Sequence, residues 1–268
     1  MILVIGKNSF LGRALLRCPE AGDIRFIGHE DIDRPGVFDG IDCVINVAID
    51  PRYKAEPYDA EFDFDLRVAR MVAGKKIRYI MPSSRKVYSP EIEGPIQEDS
   101  PTAGIGEYGK NKLRTERELE SCFGDRLTRL RISNVIGFDP QWGRKTFMAA
   151  MMSTLKKDNR ITLDISPQVR RDFITDDATA QAMIRVAELG LTGVYNLGSG
   201  IGLPVDQPGK WLIEGYGQGR IEVIDHTHRD EFVLNVNKLS EHLGTLCSRD
   251  SIRETCLEAG RKLKDIKI

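Results

Sequence analysis

Ile2-Leu3-Val4-Ile5-Gly6-Lys7-Asn8-Ser9-Phe10-Leu11-Gly12-Arg13-Ala14-Leu15 reads as a short buried strand, a glycine turn and the opening of a helix. Four apolar residues without polar alternation predict a strand covered on both faces. Gly6 can make the tight turn, and Gly12 can bring the helix close to the sheet. The helix N-terminus, with Asn8, Phe10 and Leu11 around it, would aim unpaired N–H groups at a bound pyrophosphate. Ser9 stands where a G-x-x-G-x-x-G spacing would place glycine. It can cap the helix, but its β-carbon narrows the approach. On this motif alone, an ordinary β-turn-α with packing glycines stays open.

Working outward, further apolar runs of strand length occur at Ile24–Ile27, Cys43–Val47, Tyr79–Met81 and Thr128–Ile132. Helical patterns at 10–18, 61–74 and 108–122 lie between them. Buried strands alternating with helices predict an α/β chain with a doubly wound parallel sheet. Residues 139–172 and 199–232 are richer in Gly, Pro and charge, which predicts insertions forming a small lobe. Residues 173–198 return to helix and strand, and 235–244 and 249–263 predict terminal helices. The expected division is a dinucleotide-binding part, 1–138 with 173–198, and a substrate lobe, 139–172 with 199–268.

With 41% apolar and 29% charged residues and a net charge of −1, nothing points to a grip on nucleic acid or anionic lipid. Five scattered cysteines without a CxxC pair predict reduced thiols in a cytoplasmic protein and no metal site. No apolar run approaches the length of a membrane span.

Of seven tyrosines, Tyr108 alone has lysine four residues on, at Lys112. Positions i and i+4 share a helix face, so an ammonium would sit near the phenol and lower its pKa toward the working range. Such a phenol could exchange a proton with a carbonyl oxygen while a nicotinamide carries hydride. At the tip of the second strand stand Gly28 and His29, and then Glu30 and Asp31. An acid there would hold ribose hydroxyls and favour NAD, whereas His29 could accept the phosphate of NADP, so both cofactors stay open.

Pro82-Ser83-Ser84-Arg85-Lys86-Val87-Tyr88, Glu107-Tyr108-Gly109-Lys110-Asn111-Lys112 with Glu116, Arg131-Ile132-Ser133-Asn134-Val135-Ile136-Gly137, Arg170-Arg171-Asp172-Phe173-Ile174 and Gly193-Val194-Tyr195-Asn196-Leu197-Gly198 follow in order. Together they resemble the extended short-chain dehydrogenase/reductase family, the branch that modifies nucleotide sugars. The resemblance implies a Rossmann-type fold with a small C-terminal substrate-binding lobe. It makes Tyr108, Lys112 and Ser84 the catalytic group, and it brings Ala48 and Ser133 to the cofactor. It brings Asn134 and Arg171 to the nucleotide-sugar substrate, with Arg229, beside His226 and His228, at its phosphates. It also implies a homodimer pairing the helices 61–74 and 108–122 as a four-helix bundle.

Dehydration would need an Asp-Glu pair after the catalytic hydroxyl, and Arg85-Lys86 stand there. Epimerisation beside the ketone would need a Cys–His couple, and no cysteine lies near Ser84. The expected reaction is reduction of a 4-keto-6-deoxy nucleotide sugar. C4 epimerisation with a retained NAD is the alternative, and a non-catalytic nicotinamide-binding regulator the minor one. Trp142 and Trp211 read as lobe packing.

Overall fold

In the computed structural model, which describes residues 1–18, 23–72, 74–139 and 146–266, the predicted apolar runs form the centre of the molecule. The strands β1 (Ile2–Ile5), β2 (Ile24–Ile27), β3 (Cys43–Asn46), β4 (Arg78–Ser84), β5 (Leu127–Ile132) and β9 (Gly193–Leu197) make one sheet in the order β2-β1-β3-β4-β5-β9. Every pairing in it is parallel. The side chains show why. Val4, Cys43, Ile45, Ile80 and Leu130 join one apolar cluster, while Leu3, Ile5, Val44, Tyr79 and Met81 join another. Successive residues of a strand point to opposite faces, so a sheet buried on both must be apolar at every position.

The helix α1 (Phe10–Arg17) lies against α5 (Asp176–Leu189), and α2 (Phe64–Met71) against α3 (Gly106–Phe123). α2 is shorter than the predicted 61–74, because the Asp63 side chain accepts from the Leu66 N–H and caps it there. From β1 the chain runs to one side for β2 and to the other for β3. The order therefore reverses at the carboxyl ends of β1 and β3, where ligands of open α/β sheets bind.

The second half departs from its expected texture. The residues read as insertions forming a small lobe hold two helices, α4 (Phe147–Asp158) and α6 (Gln207–Tyr216). They also hold β7 (Arg160–Leu163) and β11 (Arg220–Val223), a parallel pair. A mixed sheet joins β6 (Asn134–Ile136), β8 (Arg170–Thr175) and β10 (Gly202–Pro204). Helices α7 (Asn237–Leu243) and α8 (Arg249–Asp265) close the chain. Met148, Met151, Trp211 and Leu212 belong to the same apolar cluster as Val4 and Ile45. Trp211 is thus core, as expected, while Trp142 lies outside the described residues. Among the described residues no helix is long and apolar enough to cross a membrane, and no cluster of acidic, His and Cys side chains could hold a metal.

Candidate active site

At the reversal point the backbone is packed too tightly for side chains. Gly6 has φ of +96°, and a β-carbon there would lie 2.7 Å from the Ala48 nitrogen. One at Gly12 would lie 2.1 Å from the Gly6 carbonyl oxygen. Both glycines are required by this turn and leave a cradle before the first helical turn, whose leading N–H groups have no intrahelical acceptor. Ser9 caps α1 by accepting from the Gly12 N–H at 3.0 Å. The Asn8 carbonyl accepts from Arg13 at 2.6 Å, which fixes the loop before Phe10 and Leu11. These residues fit a dinucleotide's pyrophosphate.

At the tip of β2 the nearest acid is Glu30, whose carboxylate covers Gly28: a β-carbon on Gly28 would come within 2.1 Å of it. Asp31 turns back to accept from the Gly28 N–H at 3.2 Å and pairs with Arg34 at 2.7 Å. His29 is exposed and lies 3.2 Å from Glu30.

β4 ends at Ser84, whose hydroxyl accepts from the Lys86 N–H at 3.2 Å and caps a tight turn over 85–87. The hydroxyl proton stays free to donate. α3 lies directly on this turn: the Ile105 N–H donates to the Lys86 carbonyl at 2.7 Å. A β-carbon on Gly109 would lie 2.2 Å from that same oxygen. Glycine beside Tyr108 is therefore what lets the first turn of α3 settle on the turn that carries Ser84.

Lys112, one helical turn on, is buried and pairs with the buried Asp65 at 3.3 Å. Asp65 also accepts from Asn46 at 2.7 Å and from the Tyr79 hydroxyl at 2.8 Å. The Tyr108 ring meets Tyr53 edge-on, with centroids 6.4 Å apart. One expectation is reversed here. Burial pushes the Tyr108 phenol up, Lys112 pulls it down and Asp65 pushes it up again, so it ends above the ordinary value, not below. Burial also works against the Lys112 ammonium, but Asp65 and then Tyr108 outweigh it and its pKa is raised.

Deeper on the same stripe of α3, Glu116 accepts from the Ser83 hydroxyl at 2.5 Å and pairs with Arg131 at 2.8 Å. This buried pair ties α3 to β4 and β5. Just beyond β5, the Ser133 hydroxyl and the Asn134 side-chain nitrogen are buried without a hydrogen-bond partner among the described residues. Buried polar atoms are rarely left so, and a bound ligand would satisfy both.

Arg171 is not free in the cleft. Its guanidinium donates to the Asp230 carbonyl and pairs with that carboxylate, each at 3.0 Å. Asp230 also receives Arg85, which lies 3.9 Å over the Phe232 ring. Arg229 is exposed and held by Asp225 at 2.7 Å, and His228 sits 3.0 Å from Glu231. Tyr108 and Lys112 thus lie one turn apart on α3, whose start rests on the turn that follows Ser84, while Arg171 and Arg229 are occupied by carboxylates. Asp65 and Asp230 went unread in the sequence. Their partners lie 47 and 145 residues away, and no local pattern marks them.

Residues 2–198 match the NAD dependent epimerase/dehydratase family. A UDP-glucose 4-epimerase of Azospirillum brasilense is 27% identical over 205 residues, 65% of this chain and 57% of that protein. The chain thus spans little more than half of that relative's length. A UDP-N-acetylglucosamine 4-epimerase from Methanobrevibacter ruminantium M1, in complex with UDP-N-acetylmuramic acid, superposes with a TM-score of 0.81 at 18% identity, covering 97% of this chain and 96% of that one. A UDP-glucuronic acid 4-epimerase from Bacillus cereus, in complex with UDP-glucuronic acid and NAD, gives 0.79 at 16%, covering 98% and 99%. At these identities the likeness is one of fold.

Proposed function

The chain belongs to the NAD dependent epimerase/dehydratase family, and from that premise we propose that it reduces a 4-keto nucleotide sugar, with Tyr108 as proton donor. The observation that supports this is the close seating of α3 through Gly109 on the turn after Ser84, from which phenol, hydroxyl and ammonium would serve one substrate oxygen. NAD or NADP, when bound, supplies the hydride. Gly6, Ser9 and Gly12 would hold the pyrophosphate, and Lys112 and Ser133 the nicotinamide end. Ser84 donates a hydrogen bond to the substrate oxygen. Tyr108 delivers the proton to that oxygen as it becomes an alcohol. A phenol kept above its ordinary pKa stays protonated near neutrality, which suits a donor to a carbonyl.

Arg85 and Lys86 stand where a dehydration would use an Asp-Glu pair, and Arg85 is engaged by Asp230, which weighs against dehydration. C4 epimerisation is the second reading, favoured by the A. brasilense relative. Presence of all three catalytic side chains weighs against a non-catalytic regulator. The test supplies dTDP-4-keto-6-deoxyglucose with NADH or NADPH, and separately UDP-glucose with NAD. Stoichiometric loss of reduced cofactor with the keto sugar supports reduction. Conversion of UDP-glucose without net cofactor change supports epimerisation, and turnover of neither overturns both.

Glu30 at the β2 tip would repel a ribose phosphate, so the proposal includes NADH as preferred cofactor. Juxtaposed like charges cost several kcal/mol, which predicts at least ~10-fold higher kcat/KM with NADH than NADPH. Glu30→Ala should narrow that ratio, and an unchanged ratio would remove Glu30 from the account.

We infer that residues 1–138 with 173–198 hold the cofactor and 139–172 with 199–268 the substrate. The proposed setting is the cytosol, in which the five cysteines stay reduced. A homodimer across α2 and α3 belongs to the same reading, its face carrying the exposed Arg67, Lys110, Arg114 and Arg117. Light scattering at micromolar concentration checks this, and a monomer would contradict it.

A further inference from the structure

Lys112 reaches the site on a long, flexible stem, and such a side chain loses considerable rotamer freedom when fixed. What fixes it comes from elsewhere in the fold. One oxygen of Asp65 accepts from Asn46 on β3 at 2.7 Å and from the Tyr79 hydroxyl on β4 at 2.8 Å. The other oxygen faces the Lys112 ammonium at 3.3 Å, and both side chains are 6% exposed. The carboxylate is therefore anchored by the sheet and presents its remaining oxygen to α3. Its neighbour Asp63 does not compete, because it is engaged by Thr115 at 2.6 Å, by Tyr58 at 3.0 Å and by the Leu66 N–H at 3.0 Å. Tyr53, from the turn at Pro51–Lys54, lies with its ring 5.4 Å from the Lys112 nitrogen and supplies no charge.

We propose that Asp65 is a positioning residue: it pins the Lys112 ammonium beside Tyr108 and offsets its charge, so that the phenol holds its proton until the substrate oxygen takes it. The inference rests on Tyr108 being the proton donor. Of its three N–H bonds, the ammonium spends one on Asp65, leaving two for a ribose hydroxyl or the phenol oxygen. An unopposed ammonium would drive the phenol toward phenolate. With Asp65 opposite it, the buried pair is neutral and the proton stays on Tyr108. Burial is the main reason the Tyr108 phenol is raised, Lys112 lowers it, and the Asp65 carboxylate adds a smaller push upward.

Ultraviolet titration of phenolate tests the assignment without any substrate. The curve of the full chain minus that of Y108F isolates Tyr108, and the curve of D65N minus that of D65N/Y108F does so without the carboxylate. Tyr108 should titrate at lower pH in D65N by roughly one unit or more. Coincident difference curves would overturn the role of Asp65. A second measurement needs no Asp65 variant. In the unaltered chain the Lys112 ammonium, assigned by its loss in K112R, should give a slowly exchanging nitrogen resonance, whereas one averaged with the surface lysines would overturn the pinning. Failure of the functional reading looks different, since Y108F would then keep full turnover whatever Asp65 does.

Discussion

Tyr108→Phe is expected to lower turnover of a 4-keto nucleotide sugar by about 10²–10⁴-fold and leave cofactor affinity nearly unchanged. The substitution removes only the hydroxyl. The ring still meets Tyr53 edge-on, and Lys112 keeps its ion pair with Asp65, which does not involve the phenol. The cradle at Gly6 and Gly12 lies on a different element and is untouched. What is lost is the group that places a proton on the nascent alkoxide in a site where water is a poor substitute. Steady-state rates with NADH, paired with a fluorescence titration of NADH binding, separate the two effects. A variant of unchanged rate would show that another group donates.

The largest effect on stability is expected from Glu116→Gln. Its side chain is 3% exposed and Arg131's is 7% exposed, and the guanidinium also donates to the Glu98 carbonyl at 3.0 Å. Removing one partner of a buried pair leaves an uncompensated charge and costs about 3–5 kcal/mol. The glutamine nitrogen would moreover face the Arg131 nitrogens it cannot accept from. For a chain of this size that corresponds to a fall in Tm of roughly 6–15 °C, read by calorimetry. Replacing both partners by apolar residues of similar volume should recover much of it, since then no charge is stranded. Activity should fall along with stability. Tyr108, Lys112 and Glu116 follow one another at intervals of four on α3, so loosening the lower anchor frees the helix over the Ser84 turn. A Tm within ~1 °C of the parent chain would mean that Arg131 finds another anion.

Much of this architecture is written locally. The central strands were legible because a sheet buried on both faces needs apolar residues at every position, and runs such as Cys43–Asn46 have no other economical use. Gly6 and Gly12 were legible because their turn excludes a β-carbon. α4 was missed although its signal is present: Met148, Met151, Met152 and Leu155 fall at i, i+3, i+4 and i+7 and are buried. Nearby Gly, Pro and charge outweighed that period. α6 begins Gln207-Pro208-Gly209, which reads as a turn, yet proline suits a first helical turn and Gly215 packs against the Leu257 carbonyl of α8.

In the proposed site, Tyr108, Lys112 and Ser84 are read from spacing and resemblance, whereas their electrostatics were not legible. The expected lowering of the phenol considered Lys112 alone. Asp65 sits 47 residues from it in sequence, and only the packing of α2 against α3 brings the two together. Arg171 and Arg229 carry the charge expected of phosphate contacts, but their carboxylate partners could not be read from the chain either.

A structure of the chain with nicotinamide cofactor and a 4-keto nucleotide sugar bound tests the central claim most directly. The account predicts the pyrophosphate against Gly6 and Gly12, and the Tyr108 and Ser84 hydroxyls both within ~2.6–3.2 Å of one sugar oxygen. Those hydroxyls turned away from the sugar, or a pyrophosphate seated elsewhere, would contradict it.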